Sequence, residues 1–309
     1  MASRPVIAFD PPLQDIYREL VGDRAEIAGD SDADLARADA AVLGVRNRWD
    51  AAMFAKCPNL KVVSRSGIGY DNVDVAAATA AGVVVCNAPE APSVSTAEHA
   101  IALMMAITKD LAANVARAQE GITGPATMTA LELDGRTLGL VGFGRIARRV
   151  ARVGVALDMT VLASDPFVEE SPIPGVRMTS LDEVIARSDV LSLHAPALPE
   201  TRHLINATTL AAMPAGSYLV NCARGSLVDQ DALVAALDSG HLAGAAVDVT
   251  EPEPLPVGHP LLTHPKAIVT PHHASSTSAG RRRLFEHAIE NALAVLDGRP
   301  ATIVTAPTV

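Results

Sequence analysis

The stretch Thr137-Leu138-Gly139-Leu140-Val141-Gly142-Phe143-Gly144-Arg145-Ile146-Ala147 runs an apolar segment into Gly-x-Gly-x-x-Ala and then into residues of helical composition. That is the order of a buried strand, a tight turn and a helix. Gly142 permits the turn, Gly144 lets backbone approach a pyrophosphate, and small Ala147 lets the helix pack on the strand. The pattern alone is a weak signal, because strand-to-helix turns use glycine with or without a ligand. Asp165 strengthens it. This residue ends the next apolar run, 165 − 144 = 21 positions after Gly144, where a carboxylate can accept hydrogen bonds from ribose hydroxyls. The plainer reading of Asp165 is a turn former before Pro166. Together the two features predict a dinucleotide site.

Similar apolar runs recur on both sides of this motif. Those at 6–9, 41–45, 61–64 and 83–86 alternate with segments such as 73–81, which has helical composition and is followed by Gly82. Those at 137–141, 160–163, 190–193, 217–221, 243–247 and 267–270 form a second series. The expected fold class is therefore α/β, with two Rossmann-like, doubly wound domains and a cleft between them. Ser95-Thr96-Ala97-Glu98 has capping-box spacing and opens a long helix expected to cross between the domains. A last amphipathic segment, 278–296, is expected to carry the chain back to the first.

Composition excludes several classes. The chain has 309 residues, 25 Lys plus Arg against 35 Asp plus Glu, a net charge of −10 and 3% aromatics. It offers neither a basic footprint for phosphate backbones nor a stacking platform for bases, so nucleic acid is not an expected partner. The longest run free of Asp, Glu, Lys and Arg, 203–223, is broken by Asn206, Pro214, Gly216 and Asn221, and no membrane span is expected. Residues 1–10 lack the long apolar core of a secretory signal, which points to a cytoplasmic protein. Cys57, Cys86 and Cys222 are far apart, without Cys-x-x-Cys spacing, so neither a disulfide framework nor a metal site is expected.

Three ionisable residues follow successive strands of the second series, at the sheet edge where open α/β sheets bind ligands. They are Arg224 in Asn221-Cys222-Ala223-Arg224-Gly225, Glu253 in Thr250-Glu251-Pro252-Glu253-Pro254, and His272 in Thr270-Pro271-His272-His273-Ala274. Each has a bland explanation, as a surface charge, a loop carboxylate and a hydrogen-bonded loop histidine. Downstream of a dinucleotide motif they acquire a joint one. Carbonyl reduction needs a cation for the substrate, a proton donor and a carboxylate to tune that donor.

With these residues in view, the chain resembles the D-isomer-specific 2-hydroxyacid dehydrogenase family, with phosphoglycerate dehydrogenase-like and glyoxylate/hydroxypyruvate reductase-like members. The likeness runs from Ser64-Arg65-Ser66-Gly67-Ile68-Gly69-Tyr70-Asp71-Asn72-Val73-Asp74 through Asn87-Ala88-Pro89, the glycine turn and His194-Ala195-Pro196 with Thr201. It continues through the three loops above to Gly298-Arg299-Pro300. Departures are mild. Ala147 replaces the third glycine, and Ser275 and Ser276 stand where many relatives have Gly or Ala.

The resemblance implies a flavodoxin-like substrate domain, residues 1–98 and 288–309, with an NAD-binding Rossmann domain, residues 99–287, inserted into it. It implies hydride transfer between NAD and a small anionic 2-oxo or 2-hydroxy acid. His272 would be the acid/base, chosen over His273 because it directly follows Pro271; Glu253 would hold it and Arg224 would bind the substrate. Asp248 would hold the nicotinamide carboxamide. Gly142, Gly144, Arg145, Ile146, Asp165, Pro196, Thr201, Cys222 and Ala223 would line the remaining cofactor path. Backbone N–H groups of Ser66, Gly67 and Ile68 would bind the substrate carboxylate. Arg46 would offer charge to a phosphate or second carboxylate, a solvated basic loop being its alternative. A homodimer through the cofactor domain is also implied. An NAD(H)-sensing protein without catalysis is a different-class alternative, against which the retained Arg224, Glu253 and His272 argue.

Overall fold

The computed structural model describes residues 4–10, 13–124 and 130–304. Residues 1–3, part of the N-terminal stretch read above, lie outside it. The chain divides into two compact units, Met1–Ser93 with Ser276–Val309, and Val94–Ser275.

In the first unit the order is β1 (Val6–Phe9), α1 (Asp15–Val21), β2 (Glu26–Ala28), α2 (Asp32–Arg37), β3 (Ala40–Leu43), α3 (Ala51–Ala55), β4 (Val62–Arg65), α4 (Val75–Ala80) and β5 (Val84–Cys86). The strands form one parallel sheet in the order β2-β1-β3-β4-β5, the flavodoxin-like winding. β3 is buried on both faces, which is why it reads as an unbroken apolar run.

The second unit contains α5 (Ser93–Thr108) from its second residue on, α6 (Leu111–Gln119), β6 (Thr137–Val141), α7 (Arg145–Ala156), β7 (Thr160–Ser164), β8 (Val176–Met178), α8 (Leu181–Arg187), β9 (Val190–Leu193), α9 (Ala207–Ala212), β10 (Ser217–Asn221), α10 (Gln230–Asp238), β11 (Leu242–Val247) and β12 (Ala267–Val269). Its seven strands are parallel, in the order β12-β11-β10-β9-β6-β7-β8. Winding reverses between β6 and β9, so the glycine turn after β6 stands at the topological switch point, where such sheets bind ligands.

The final helix, α11 (Ser278–Leu296), lies wholly within the first unit. This differs from the expected boundary at 287/288, which would cut the helix in the middle. Phe285, Ala288, Ile289, Ala292 and Leu293 of α11 share one buried cluster with Ile7, Phe9 and Tyr17, and a helix with one continuous apolar face docks as a piece. The unit boundary near the start of α5 falls after Ser93 rather than after residue 98. Ala97, Ala100, Leu103 and Met104 explain that shift, being buried in the second unit's core with Leu138 and Leu140 of β6.

Candidate active site

The glycine turn is dictated by close approach. Gly142 has φ of 86°, and a Cβ there would lie 2.8 Å from the carbonyl of His194, which follows β9. No other residue suits both constraints. Gly144 is different, because a Cβ on it would meet nothing within 4 Å. The protein leaves open the space that the second glycine of a dinucleotide turn keeps for a pyrophosphate. Gly144 caps α7 without any side-chain hydrogen bond, so the first-turn N–H groups of that helix are available to an anion. Ala147 is fully buried, as the packing of helix on strand requires. Arg145 is exposed and Ile146 half-buried at the start of the helix.

Asp165, directly after β7, accepts the Phe143 N–H on Oδ2 at 2.7 Å and the Phe167 N–H on Oδ1 at 2.9 Å. It thereby ties the glycine turn to its own loop, and each oxygen keeps a lone pair for a ribose hydroxyl. This arrangement fits NAD. After β9, the Thr201 hydroxyl donates to the Pro196 carbonyl at 2.7 Å and accepts from the Leu198 N–H at 2.8 Å. Thr201 therefore shapes the loop that Pro196 opens, and only one of its lone pairs is left for a ligand.

Loops after β10, β11 and β12 carry the three ionisable residues. Asn221 is fully buried at the end of β10; its Oδ1 accepts the Ala223 N–H and its Nδ2 donates to the Arg224 carbonyl, both at 2.9 Å. These bonds template the turn holding Cys222, Ala223 and Arg224, a part that sequence reading did not assign. Burial, then the Asp248 carboxylate, push the Cys222 thiol well above its usual value, so it is no nucleophile. Gly225 packs so closely on the next loop that a Cβ would fall 2.1 Å from the Thr250 carbonyl carbon and oxygen. The loop bearing Arg224 is thus seated on the loop bearing Glu253.

His272 Nδ1 lies 2.8 Å from Glu253 Oε2, and Glu253 Oε1 accepts the Thr250 N–H at 3.0 Å. A carboxylate partner requires the proton on Nδ1, which directs Nε2 outward. His272 adopts φ of 47°, a left-handed conformation costing a non-glycine residue about 1 kcal/mol or more. Its N–H donates to the Asp248 carbonyl at 2.8 Å. His273, by contrast, turns its Nδ1 to 3.6 Å from Asp248 Oδ1 and sets its ring edge-on against His99. The structure thus brings His272, and not its neighbour, to Glu253.

Asp248 is tied into the turn that carries His272. Its side chain is 0% exposed and accepts the Thr270 hydroxyl at 2.6 Å, the His273 N–H at 3.0 Å and the Ala274 N–H at 2.9 Å. Burial works to raise its carboxyl, but hydrogen bonds from His99, Thr270, His273 and Ala274 outweigh that and hold it below the usual range. The carboxylate anchors the 270–274 turn, with two of these bonds on Oδ1 and only the Ala274 N–H on Oδ2, which keeps a lone pair.

In the first unit, the loop after β4 also uses much of its own hydrogen-bonding capacity. The Ser66 N–H and hydroxyl both donate to the Leu43 carbonyl, at 2.9 and 2.8 Å, and the Gly67 N–H donates to Arg65 O at 2.9 Å. Of the three expected donors, Ile68 alone has an N–H without a hydrogen bond among the described residues. The buried Arg65 guanidinium, unassigned from sequence, lies under Gly67, 2.8 Å from where a Cβ would stand. Arg46 pairs with Asp30 and has its Nε 3.9 Å from buried Asp10. Its charge is already shared between two carboxylates, which weakens it as an anion receptor.

A parallel sheet with a glycine turn at its switch point, and a histidine–carboxylate pair at the carboxyl ends of later strands, defines a doubly wound, dinucleotide-binding class of α/β protein. Residues 101–274 match the model of the D-isomer specific 2-hydroxyacid dehydrogenase, NAD binding domain, and the chain belongs to that family. It is 37% identical over 294 residues to D-3-phosphoglycerate dehydrogenase of Bacillus subtilis (strain 168), a match covering 94% of this chain but 55% of that protein. It is 39% identical over 267 residues to glyoxylate reductase of Thermofilum pendens, covering 84% of this chain and 79% of the relative. Among solved structures, D-lactate dehydrogenase from Aquifex aeolicus, complexed with NAD and lactic acid, has a TM-score of 0.88 at 29% identity, covering 98% of this chain and 100% of that one. NAD-dependent formate dehydrogenase from Staphylococcus aureus, in complex with NAD, has a TM-score of 0.87 at 28% identity, covering 98% and 99%.

Proposed function

We propose that the protein interconverts a small anionic 2-oxo acid and the corresponding D-2-hydroxy acid with NAD(H). The observation that carries this reading is the 2.8 Å pairing of His272 Nδ1 with Glu253, at the carboxyl edge of the sheet that holds the dinucleotide turn. NAD, when bound, supplies or takes the hydride at C2 of the acid. In reduction, His272 Nε2 gives a proton to the oxygen of that carbon, and in oxidation it takes the proton back. Glu253 fixes the ring and stabilises the imidazolium. Arg224 pairs with the substrate carboxylate through its planar fork. Ser66, Gly67 and Ile68 offer backbone N–H donors to a substrate carboxylate, the Ile68 N–H being without a hydrogen bond among the described residues. Arg46 is reserved for a second anionic group, in exchange for its exposed pair with Asp30, which is worth at most about 1 kcal/mol.

Loss of NADH absorbance with glyoxylate, hydroxypyruvate, pyruvate, phenylpyruvate and 3-phosphohydroxypyruvate tests the reading. Turnover of at least one is expected, and binding of NADH without any turnover would instead identify a sensor. Assembly as a homodimer through the second unit belongs to the same proposal. Leu111 and Val115, one turn apart on α6 and 53% and 47% exposed, support it. Sedimentation velocity reads it directly. The described residues include no helix long and apolar enough to cross a membrane, and a cytoplasmic location is part of this proposal.

A further inference from the structure

We propose that His99, on α5, is a positioning residue for the turn that carries His272, acting through the Thr270 hydroxyl and the Asp248 carboxylate. The inference rests on the functional reading above and adds a residue to it. Three consecutive N–H groups of the turn end on a single residue. His272 donates to the Asp248 carbonyl at 2.8 Å, and His273 and Ala274 donate to its carboxylate at 3.0 and 2.9 Å. Asp248 is therefore the mould in which His272 is held at φ of 47°.

What fixes Asp248 is Thr270 at the start of the turn and His99 from outside it. The Thr270 hydroxyl spends its one proton on Asp248 Oδ1 at 2.6 Å, so its oxygen is left to accept. His99 Nε2 lies 3.2 Å from that oxygen and 3.4 Å from Asp248 Oδ1. Both neighbours are acceptors, so Nε2 carries a proton and donates to them. The chain of donors runs from His99 to Thr270 to Asp248, and from there the turn takes its shape. His273 closes the cluster with its ring edge-on to His99, centroids 4.7 Å apart.

The same side chains have the makings of a cation site, since donor atoms of His99, Asp248 and His273 lie within 4.8 Å of one another. The lone pairs decide against it. Asp248 Oδ1, the oxygen both imidazoles face, already accepts from the Thr270 hydroxyl and the His273 N–H. An ion would have to break both bonds that shape the turn.

The test compares His99→Leu, which removes the donor, with His99→Gln, which returns an N–H near the position of Nε2. Amide hydrogen exchange at residues 272–274 is measured on the ligand-free protein, and kcat and KM are measured with the oxo acid found by the substrate panel. In His99→Leu, exchange at these amides rises about tenfold and kcat falls about tenfold, with KM for the oxo acid changed less because Arg224 is untouched. His99→Gln restores most of both. Thr270→Val, close to threonine in shape, produces the same losses, and adding His99→Leu to it costs little more. Unchanged exchange and kcat in either folded variant would overturn the proposal, as would equal loss in the Leu and Gln variants. Because exchange is read without cofactor or substrate, it decides the role of His99 even if no oxo acid is turned over, an outcome that would sink the functional reading alone.

Discussion

His272 is constrained twice, through its backbone by Asp248 and through its ring by Glu253. Removing the ring nitrogen leaves the backbone constraint in place, so His272→Gln separates chemistry from folding. Turnover is expected to fall about a hundredfold to ten-thousandfold, the usual range for a lost general acid, while NADH affinity measured by fluorescence stays within about threefold. His273→Gln should cost far less, and the reverse ranking would move the acid/base to His273. Asp165 supports a second expectation. Its carboxylate faces the turn where the adenosine ribose binds in such folds, and Ala163-Ser164-Asp165-Pro166-Phe167 contains no base to receive a 2′-phosphate. NADH should be preferred over NADPH in kcat/KM by roughly a hundredfold, as like charges a few ångströms apart cost a few kcal/mol. Asp165→Ser should narrow that ratio, although it also removes the acceptor for the Phe143 N–H and so lowers affinity for both cofactors.

The loops after β10, β11 and β12 act as one assembly because each is built against the next. Gly225 is the joint between the first two, where backbone touches backbone and no side chain can be admitted. Gly225→Ala should therefore behave unlike a surface Gly→Ala change. A Cβ placed 2.1 Å from the Thr250 carbonyl forces the Arg224 and Glu253 loops apart, at a cost of about 3 kcal/mol in the urea-unfolding free energy. Turnover falls with it. A variant with the stability and kcat of the parent would show that the two loops do not meet in this way.

Across the fold as a unit, acid sensitivity has an identifiable source at the switch point. Burial pushes the His194 imidazole down to about 4 from its usual 6.5, and the neutral ring meets the Ser192 hydroxyl at 3.0 Å. The unfolded chain takes up this proton near pH 6.5 and the folded chain only near 4. Stability from the neutral ring is complete above about pH 6.5, and it drains away as the pH falls toward 4. The difference amounts to up to about 3 kcal/mol. Thermal melts between pH 7 and 4 should show a steeper loss for the parent than for His194→Gln, which cannot be protonated. Parallel pH profiles for the two would remove His194 as the cause.

Much of this protein is written locally. The apolar runs and the glycine pattern reveal a parallel α/β fold because strand burial and a turn at positive φ are satisfied by neighbours in sequence, and Asp165 is marked by its distance from Gly144. The three-residue edge strands β2 and β8 escape such reading, since they bury too little to leave an apolar run. Partner choice is not local at all. His272 and His273 are chemically identical neighbours, and what separates them is a φ of 47° that presents one ring to Glu253 and the other to Asp248 and His99. Arg46 meets Asp30 and Asp10 from other loops, and Asp248 takes its hydrogen bonds from Thr270, His273 and Ala274, which lie more than twenty residues further along the chain. Hydrogen bonds are made over about 3 Å between groups far apart along the chain, so their pairing is fixed only when the loops of adjacent strands come together.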